Sequence, residues 1–321
     1  MSEGKSTFRE NTGDSIEELL DELAAHEARA IPENTRRAYE TDWRDFARWV
    51  GKRNLRVLPA TPETVGLYLT ARGRTHKLTT IRRRLMVIGK VHRARGHLDP
   101  TKDEAVIRAW RGLRRSKGEA VTRKAPTLVK QIRKMMSVLE DRLAGVRDRA
   151  LLLFGFAGAM RRSELVALNV GDLELTEDGF VVHIRRGKTD QTGKGRRIGI
   201  PYGENAETCP VRAMLAWLQV SGLVRGSVFR KVNRHGELEG NGLSPQSVAL
   251  IVKRTLKAAG ISPGQFAAHS LRAGLATSAA MAGVEERAIQ EQTGHRSLQV
   301  LRTYIRDGSL FRNNAAKKVG L

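Results

Sequence analysis

The 321-residue chain has a single cysteine, Cys209. That excludes a disulfide framework within the chain and a cysteine-rich zinc site, and Cys209 reads as an incidental thiol. Aromatic residues make up only 5%, too few for binding built on successive aromatic platforms under stacked bases. Long apolar runs are missing as well. The longest, Ala150 to Met160, is broken by Gly155 and Gly158, so no membrane span is expected. The opening MSEGKSTFRENTGDS lacks the apolar stretch of a signal peptide. A cytoplasmic location, associated with a bacterial nucleoid, is the expectation. Acidic residues are scarce, 34 against 57 Lys+Arg. No acidic cluster for two metals lies near the motifs described below, which argues against a Mg²⁺ nuclease, and no cofactor is expected.

What is present is a large cationic excess. The net charge is +23 and the pI about 10.9, which implies a polyanionic partner. With few aromatics, the backbone of a nucleic-acid duplex fits better than single strands. The excess is unevenly spread. Residues 1–42 carry 11 acids and 5 bases, residues 43–120 carry 6 and 20, and residues 121–321 carry 17 and 32. The opening segment is therefore not the contact, and the two basic parts suit a clamp around a duplex. The length calls for two domains, and 40% apolar residues supply their cores.

Along the chain, residues 1–13 are polar and read as flexible. A helical stripe of Ile16, Leu19, Leu20 and Leu23 follows. Pro32 opens a helix whose Tyr39, Trp43, Phe46 and Val50 form one buried face. Pro62 starts a short helix to Leu69. Thr79 or Thr80 is expected to cap TIRRRLMVIGKVHRARG, with Ile81, Leu85, Ile88 and His92 packed, and Arg82, Arg83, Lys90 and Arg93 mostly off that face. In so basic a region these four are read as DNA contacts, on phosphate or in a major groove, rather than as a solvated face. A helix near Lys102–Arg115 completes a DNA-binding module over 14–118, and 119–127 reads as an exposed linker. A second domain over 128–306 then follows. It begins with a helix from Thr127 to Leu139 and a nearly all-apolar helix ending at Met160. Residues 180–201 read as a hairpin, with Phe180, Val182 and Ile184 alternating with Val181 and His183. His183 reads as structural, while Arg196 and Arg197 are either an exposed strand edge or phosphate contacts. Later come a helix over Cys209–Val220, a loop over 233–242 and a helix over Ser244–Ala259, with Pro245 at its first position.

The chemistry concentrates between Ala268 and Arg306. His269 and Arg272 stand one helical turn apart, Gly294-His295 follows, and Tyr304 comes nine residues later. Cleaving a phosphodiester without metal needs cations on the non-bridging oxygens, and the forked guanidinium matches two of them. It also needs a side-chain nucleophile, if bond energy is to be kept covalently, and a proton donor for the leaving oxygen. Alone, His269 is more often a satisfied core histidine and Tyr304 a core-edge tyrosine. The set carries the inference.

At this point the chain resembles a known family. Ala-Met-Arg161-Arg162-Ser-Glu164-Leu, His269-Ser-Leu-Arg272, Gly294-His295 and Tyr304 occur in order over about 145 residues. They are similar to the motif boxes of the tyrosine recombinase (phage integrase) family. The Arg-Gly-Lys188-Thr-Asp-Gln-Thr-Gly-Lys194 hairpin and the Tyr304-Ile-Arg ending resemble its Cre-like branch, although that branch carries tryptophan where His295 stands. The resemblance implies a mainly α fold with a small antiparallel sheet: a helical core-binding (SAM-like) domain, then a mixed α/β catalytic domain. It implies that Arg161 and Arg272 hold the scissile phosphate and that Tyr304 attacks it. Lys188 would protonate the leaving 5′-oxygen, His269 would assist proton transfer, His295 would hydrogen-bond a non-bridging oxygen, and Glu164 would orient the site. Arg162 and Lys194 are the neighbouring alternatives to Arg161 and Lys188. The implied partner is double-stranded DNA recombination sites, held by a homo-tetramer assembled from free monomers. The tail 307–321 would dock on a neighbouring protomer. The alternatives are a type IB topoisomerase-like strand transferase and, in another class, a non-catalytic architectural DNA-binding protein. The sequence specifies neither the target site nor whether the task is integration, resolution, inversion or transposition.

Overall fold

The computed structural model describes residues 32–118, 124–185 and 195–309. The stripe at Ile16–Leu23, both hairpin lysines and residues 310–321 lie outside the described residues. Chain contacts divide the protein into two compact units, 1–121 and 122–321.

The described part of the first unit is helical. Helix α1 (Glu33–Gly51) follows Pro32, and its Phe46 and Val50 are fully buried, whereas Tyr39 and Trp43 are half-buried. Helix α2 (Pro62–Gly73) has Thr61 as its cap, accepting from the Thr64 N–H, and a proline at its first position, where no donor is lost. Helix α3 (Leu78–Ala94) starts earlier than expected: Lys77 is the cap residue, and Thr79 and Thr80 sit inside the first turn. Helix α4 (Glu104–Lys117) is capped by Asp103 through the Ala105 N–H. The core gathers Phe46, Val65, Tyr68, Ile88 and Val106, with Phe46 and Tyr68 edge to face at 5.0 Å.

A buried polar layer ties these helices together. Asp42 receives Arg83 at 2.6 and 3.1 Å, and Asp45 receives the Tyr68 hydroxyl at 2.7 Å and Arg72 at 2.8 Å. His92, fully buried, accepts from the Ala60 N–H at 2.9 Å and donates to the Ile88 carbonyl at 2.8 Å, so both ring nitrogens are satisfied. All four basic residues read as DNA contacts are exposed. Arg83 is also held by Asp42, Arg93 by Asp99, and Lys90 lies 5.2 Å above the Tyr39 ring.

The second unit surrounds α6 (Leu143–Ala157), whose Ala150–Gly155 stretch is wholly buried, as its apolar sequence demands. Before it, α5 (Val129–Met136) is shorter than the expected Thr127–Leu139. Thr127 stays extended because its N–H is taken by the Ser270 carbonyl. After α6 come α7 (Arg162–Ala167) and a three-stranded antiparallel sheet of β1 (Leu173–Thr176), β2 (Gly179–Ile184) and β3 (Arg196–Pro201). Phe180 pairs with Ile200 and Val182 with Ile198, so the inward side chains share one face. Helix α8 (Pro210–Ser221) starts one residue after Cys209, which caps it. The expected loop at 233–242 is half strand: β4 (Arg230–Val232) pairs with β5 (Leu238–Gly242). Helix α9 (Pro245–Ala258) follows. Three helices close the described residues: α10 (His269–Ala282), α11 (Glu286–Thr293) and α12 (Leu298–Ser309).

Candidate active site

The site begins where α6 ends. Gly158 and Ala159 reverse the chain, and Ala159 adopts φ +45°, a left-handed conformation that costs a side-chain-bearing residue on the order of 1 kcal/mol or more. The turn aims the Ala159 carbonyl at Arg272, whose Nη1 donates to it at 2.8 Å. Two residues on, Arg161 is the cap residue of α7. Its N–H donates to Glu164 Oε2 at 3.0 Å, and its guanidinium donates to Oε1. Glu164 is 3% exposed. Its neighbour Arg162 is exposed, so Arg161 is the one the turn directs inward.

Helix α10 supplies His269 at its first position and Arg272 one turn later. Arg272 is 1% exposed, and its Nη2 has no partner among the described residues. Seating α10 this deeply requires a close approach. A Cβ at Gly274 would lie 2.0 Å from the Thr127 carbonyl oxygen, so only glycine permits the contact.

Helix α11 ends at Gly294, left-handed at φ +61°. That places His295, whose Nδ1 is 2.7 Å from Thr293 Oγ1. Thr293 gives its own proton to the Ile289 carbonyl at 2.7 Å, so it accepts from His295 Nδ1–H. Helix α12 packs back through Leu301 on Ala276, Ala280 and Ile289. It brings the Tyr304 hydroxyl within 3.2 Å of His269 Nε2, and its ring 5.9 Å from that of His295.

The electrostatics follow from crowding cations with one carboxylate. Burial lowers Arg272 to about 10, and the Arg161 charge adds to it. Burial, then the Arg272 and Arg161 charges, hold His295 down at about 3. His269 is solvent-exposed on one side, yet its packed side and the same two arginines keep it below the ordinary histidine range. Burial acts to raise Glu164, but the hydrogen bonds and charges of Arg161 and Arg196 outweigh it, and the carboxyl stays ionised. Both histidines are thus neutral at pH 7, and His269 can accept the phenol proton.

Arg161, Glu164, His269, Arg272, His295 and Tyr304 therefore come together from four segments of one unit. Lys188 and Lys194 lie outside the described residues. Arg196, left open between strand edge and phosphate contact, is neither an exposed edge nor remote: it reaches Glu164 Oε2 at 3.3 Å. Thr293 went unread, because a threonine two residues before a histidine carries no signal without the helix end that turns both inward. No group of three or more His, Cys, Asp or Glu among the described residues is arranged to hold a metal ion. No helix among them is long and apolar enough to cross a membrane.

Residues 127–309 match the phage integrase family, and residues 16–95 match the phage integrase N-terminal SAM-like domain. The chain belongs to the phage integrase family of tyrosine recombinases and is an enzyme of that family. It is 40% identical over 291 residues to an integrase/recombinase XerD homologue of Selenomonas ruminantium, covering 89% of this chain and 85% of the relative. Recombinase Cre of Escherichia phage P1 is 26% identical, over 92% of this chain and 90% of its own. The fold is that of the XerH site-specific recombinase bound to palindromic difH substrate in its post-cleavage complex. The TM-score is 0.65 at 17% identity, over 88% of this chain and 78% of that one. A lambda integrase dimer bound to a COC′ core site gives 0.62 at 18% identity, over 93% and 78%. The mainly α architecture with small antiparallel sheets is as expected.

Proposed function

We propose that this enzyme is a site-specific DNA recombinase that cleaves and rejoins strands through a 3′-phosphotyrosine intermediate, exchanging them by way of a Holliday junction without metal or ATP. The observation that carries the reading is the Tyr304 hydroxyl 3.2 Å from His269 Nε2, beside a buried arginine whose Nη2 has no partner among the described residues.

In this reaction the scissile phosphate lies between Arg161 and Arg272, whose fixed charges stabilise the extra negative charge of the pentacoordinate transition state. The Tyr304 oxygen attacks phosphorus as its proton passes to His269 Nε2. The bond from phosphorus to the 5′-oxygen breaks, and Lys188 protonates that oxygen. His295 binds a non-bridging oxygen, and Glu164 orients Arg161. Attack by the freed 5′-hydroxyl of a second site reverses the steps and rejoins the strands. The phosphotyrosine conserves the bond energy, so no nucleotide is consumed.

In this reading residues 14–118 bind the duplex, with exposed Arg82, Arg83, Lys90 and Arg93 among the contacts. Residues 119–127 link them to the catalytic domain at 128–306, and 307–321 dock on the next protomer of a tetramer formed on two sites in the cytoplasm. Structural relatives in complex with DNA support the choice of partner. Sizing the protein on uncleaved site DNA tests the assembly, and a complex holding a single duplex would sink it.

The chemistry is tested with a nicked duplex carrying a short inverted repeat taken from the DNA that flanks the enzyme's own gene. Cleavage there should leave an SDS-resistant protein–DNA adduct that maps to Tyr304, and Tyr304→Phe should give none. An adduct surviving in Tyr304→Phe would refute the nucleophile.

A further inference from the structure

Arg196 is an arginine of the second unit that reaches into the site, yet the recombination chemistry above gives it no task. It stands at the first position of β3 and is 22% exposed. Its guanidinium makes two contacts that pull on different parts of the site. Nη2 donates to Glu164 Oε2 at 3.3 Å, the same oxygen that receives the Arg161 N–H. Nη1 donates to the Gln292 carbonyl at 3.1 Å. Its flat face lies against Gly294, where a Cβ would stand 3.1 Å from both Cζ and Nε. Gln292 is itself anchored, its amide donating to the Ala157 carbonyl at 2.8 Å and the Gly199 carbonyl at 3.0 Å. One side chain thus joins the carboxylate that orients Arg161 to the turn that presents His295.

Stability alone is a poor reason for this arrangement. Nε of Arg196 is buried without a partner among the described residues, and a desolvated, incompletely satisfied guanidinium near two other arginines is costly. Desolvation lowers the Arg196 pKa. Such costs persist where they hold functional groups in place. The forked geometry explains the residue type: two donors on one rigid plane set the spacing between Glu164 and Gln292, which a lysine ammonium on a flexible stem does not.

We propose that Arg196 is a positioning residue for strand cleavage, clamping the Gly294–His295 turn to Glu164 so that His295 and Arg161 address one phosphate together. Arg196 does not itself touch DNA in this role. The inference rests on the recombinase reading above.

The test is a double-mutant cycle in the full-length protein, using the nicked duplex and single-turnover adduct formation at saturating protein. Arg196→Gln is expected to slow adduct formation about 100-fold, the scale of a misplaced reacting group, with affinity for the uncleaved duplex changed less than twofold. His295→Asn should slow it comparably. The double variant should be no more than about threefold slower than His295→Asn, because Arg196 acts largely through that residue. Arg196→Lys, which keeps the charge and one contact, should recover part of the rate and serves if Arg196→Gln melts early. A wild-type rate in both Arg196 variants, additive losses in the double variant, or a loss confined to DNA affinity would each overturn the proposal. Failure of the underlying reading is separate and visible in the same experiment: the parent protein would then form no adduct at all.

Discussion

At the scale of single residues, the site is governed by what its histidines are prevented from doing. His295 drops from an ordinary 6.5 to about 3 on folding, through burial and then the charges of Arg272, Arg161, His269 and Arg196. Between those values the unfolded chain binds a proton that the folded chain refuses. Stability therefore rises with pH across that window and is lost as pH falls from about 7 toward 3. The thermal midpoint of the DNA-free protein should drop over this range, and His295→Asn should show a shallower fall. Equal slopes would contradict the assignment. Since Nδ1–H is committed to Thr293, the neutral ring offers Nε2 only as an acceptor. A phosphate oxygen can receive a bond from it only if the ring takes a proton, which the phosphate's own charge favours by offsetting the arginines.

At the scale of elements, the site depends on how closely α10 can be seated. Gly274 lets the Thr127 carbonyl lie almost on the helix backbone, and the Thr127 N–H bonds Ser270 just beyond. Gly274→Ala forces backbone apart rather than a side chain. It should lower stability by about 1–3 kcal/mol, seen as a lower urea midpoint at unchanged slope, and weaken cleavage as Arg272 shifts.

This is also where the sequence was least legible. That His269 and Arg272 share a side could be read from their i, i+3 spacing, and the full set of candidate residues from its resemblance to the family's motif boxes. The packed face of α1 could be read from its apolar period, and the burial of α6 from its nearly all-apolar sequence. Strand β1 could not, since Leu-Glu-Leu-Thr is a short edge segment with only Leu173 half-buried. The start of α3 was misplaced because a threonine before a basic helix looks like a cap, whereas Lys77 holds that position without a side-chain bond. Arg196 stayed undecided because a strand of alternating Arg, Ile and Gly does not say which arginine turns inward. That is set by Glu164, 32 residues earlier.

At the scale of the whole molecule, the +23 charge sets the conditions under which any of this is observed. Affinity for duplex DNA carries a steep salt dependence, so rates of variants compare fairly only at one ionic strength and saturating protein. Assembly adds a further question, because several copies of an enzyme can share parts. Helix α12 folds back onto α10 of its own chain, with Leu301 fully buried, and delivers Tyr304 to its own His269. In the proposed reaction, ownership of the nucleophile is thereby private. Two crippled proteins, Arg161→Ala with its tyrosine intact and Tyr304→Phe with its arginines intact, should not rescue one another when mixed. Adduct above the level of Arg161→Ala alone would mean that tyrosines are lent between protomers. Its absence would mean that each copy cuts only the strand it holds, so the number of active copies in an assembly fixes the number of strands that can be broken.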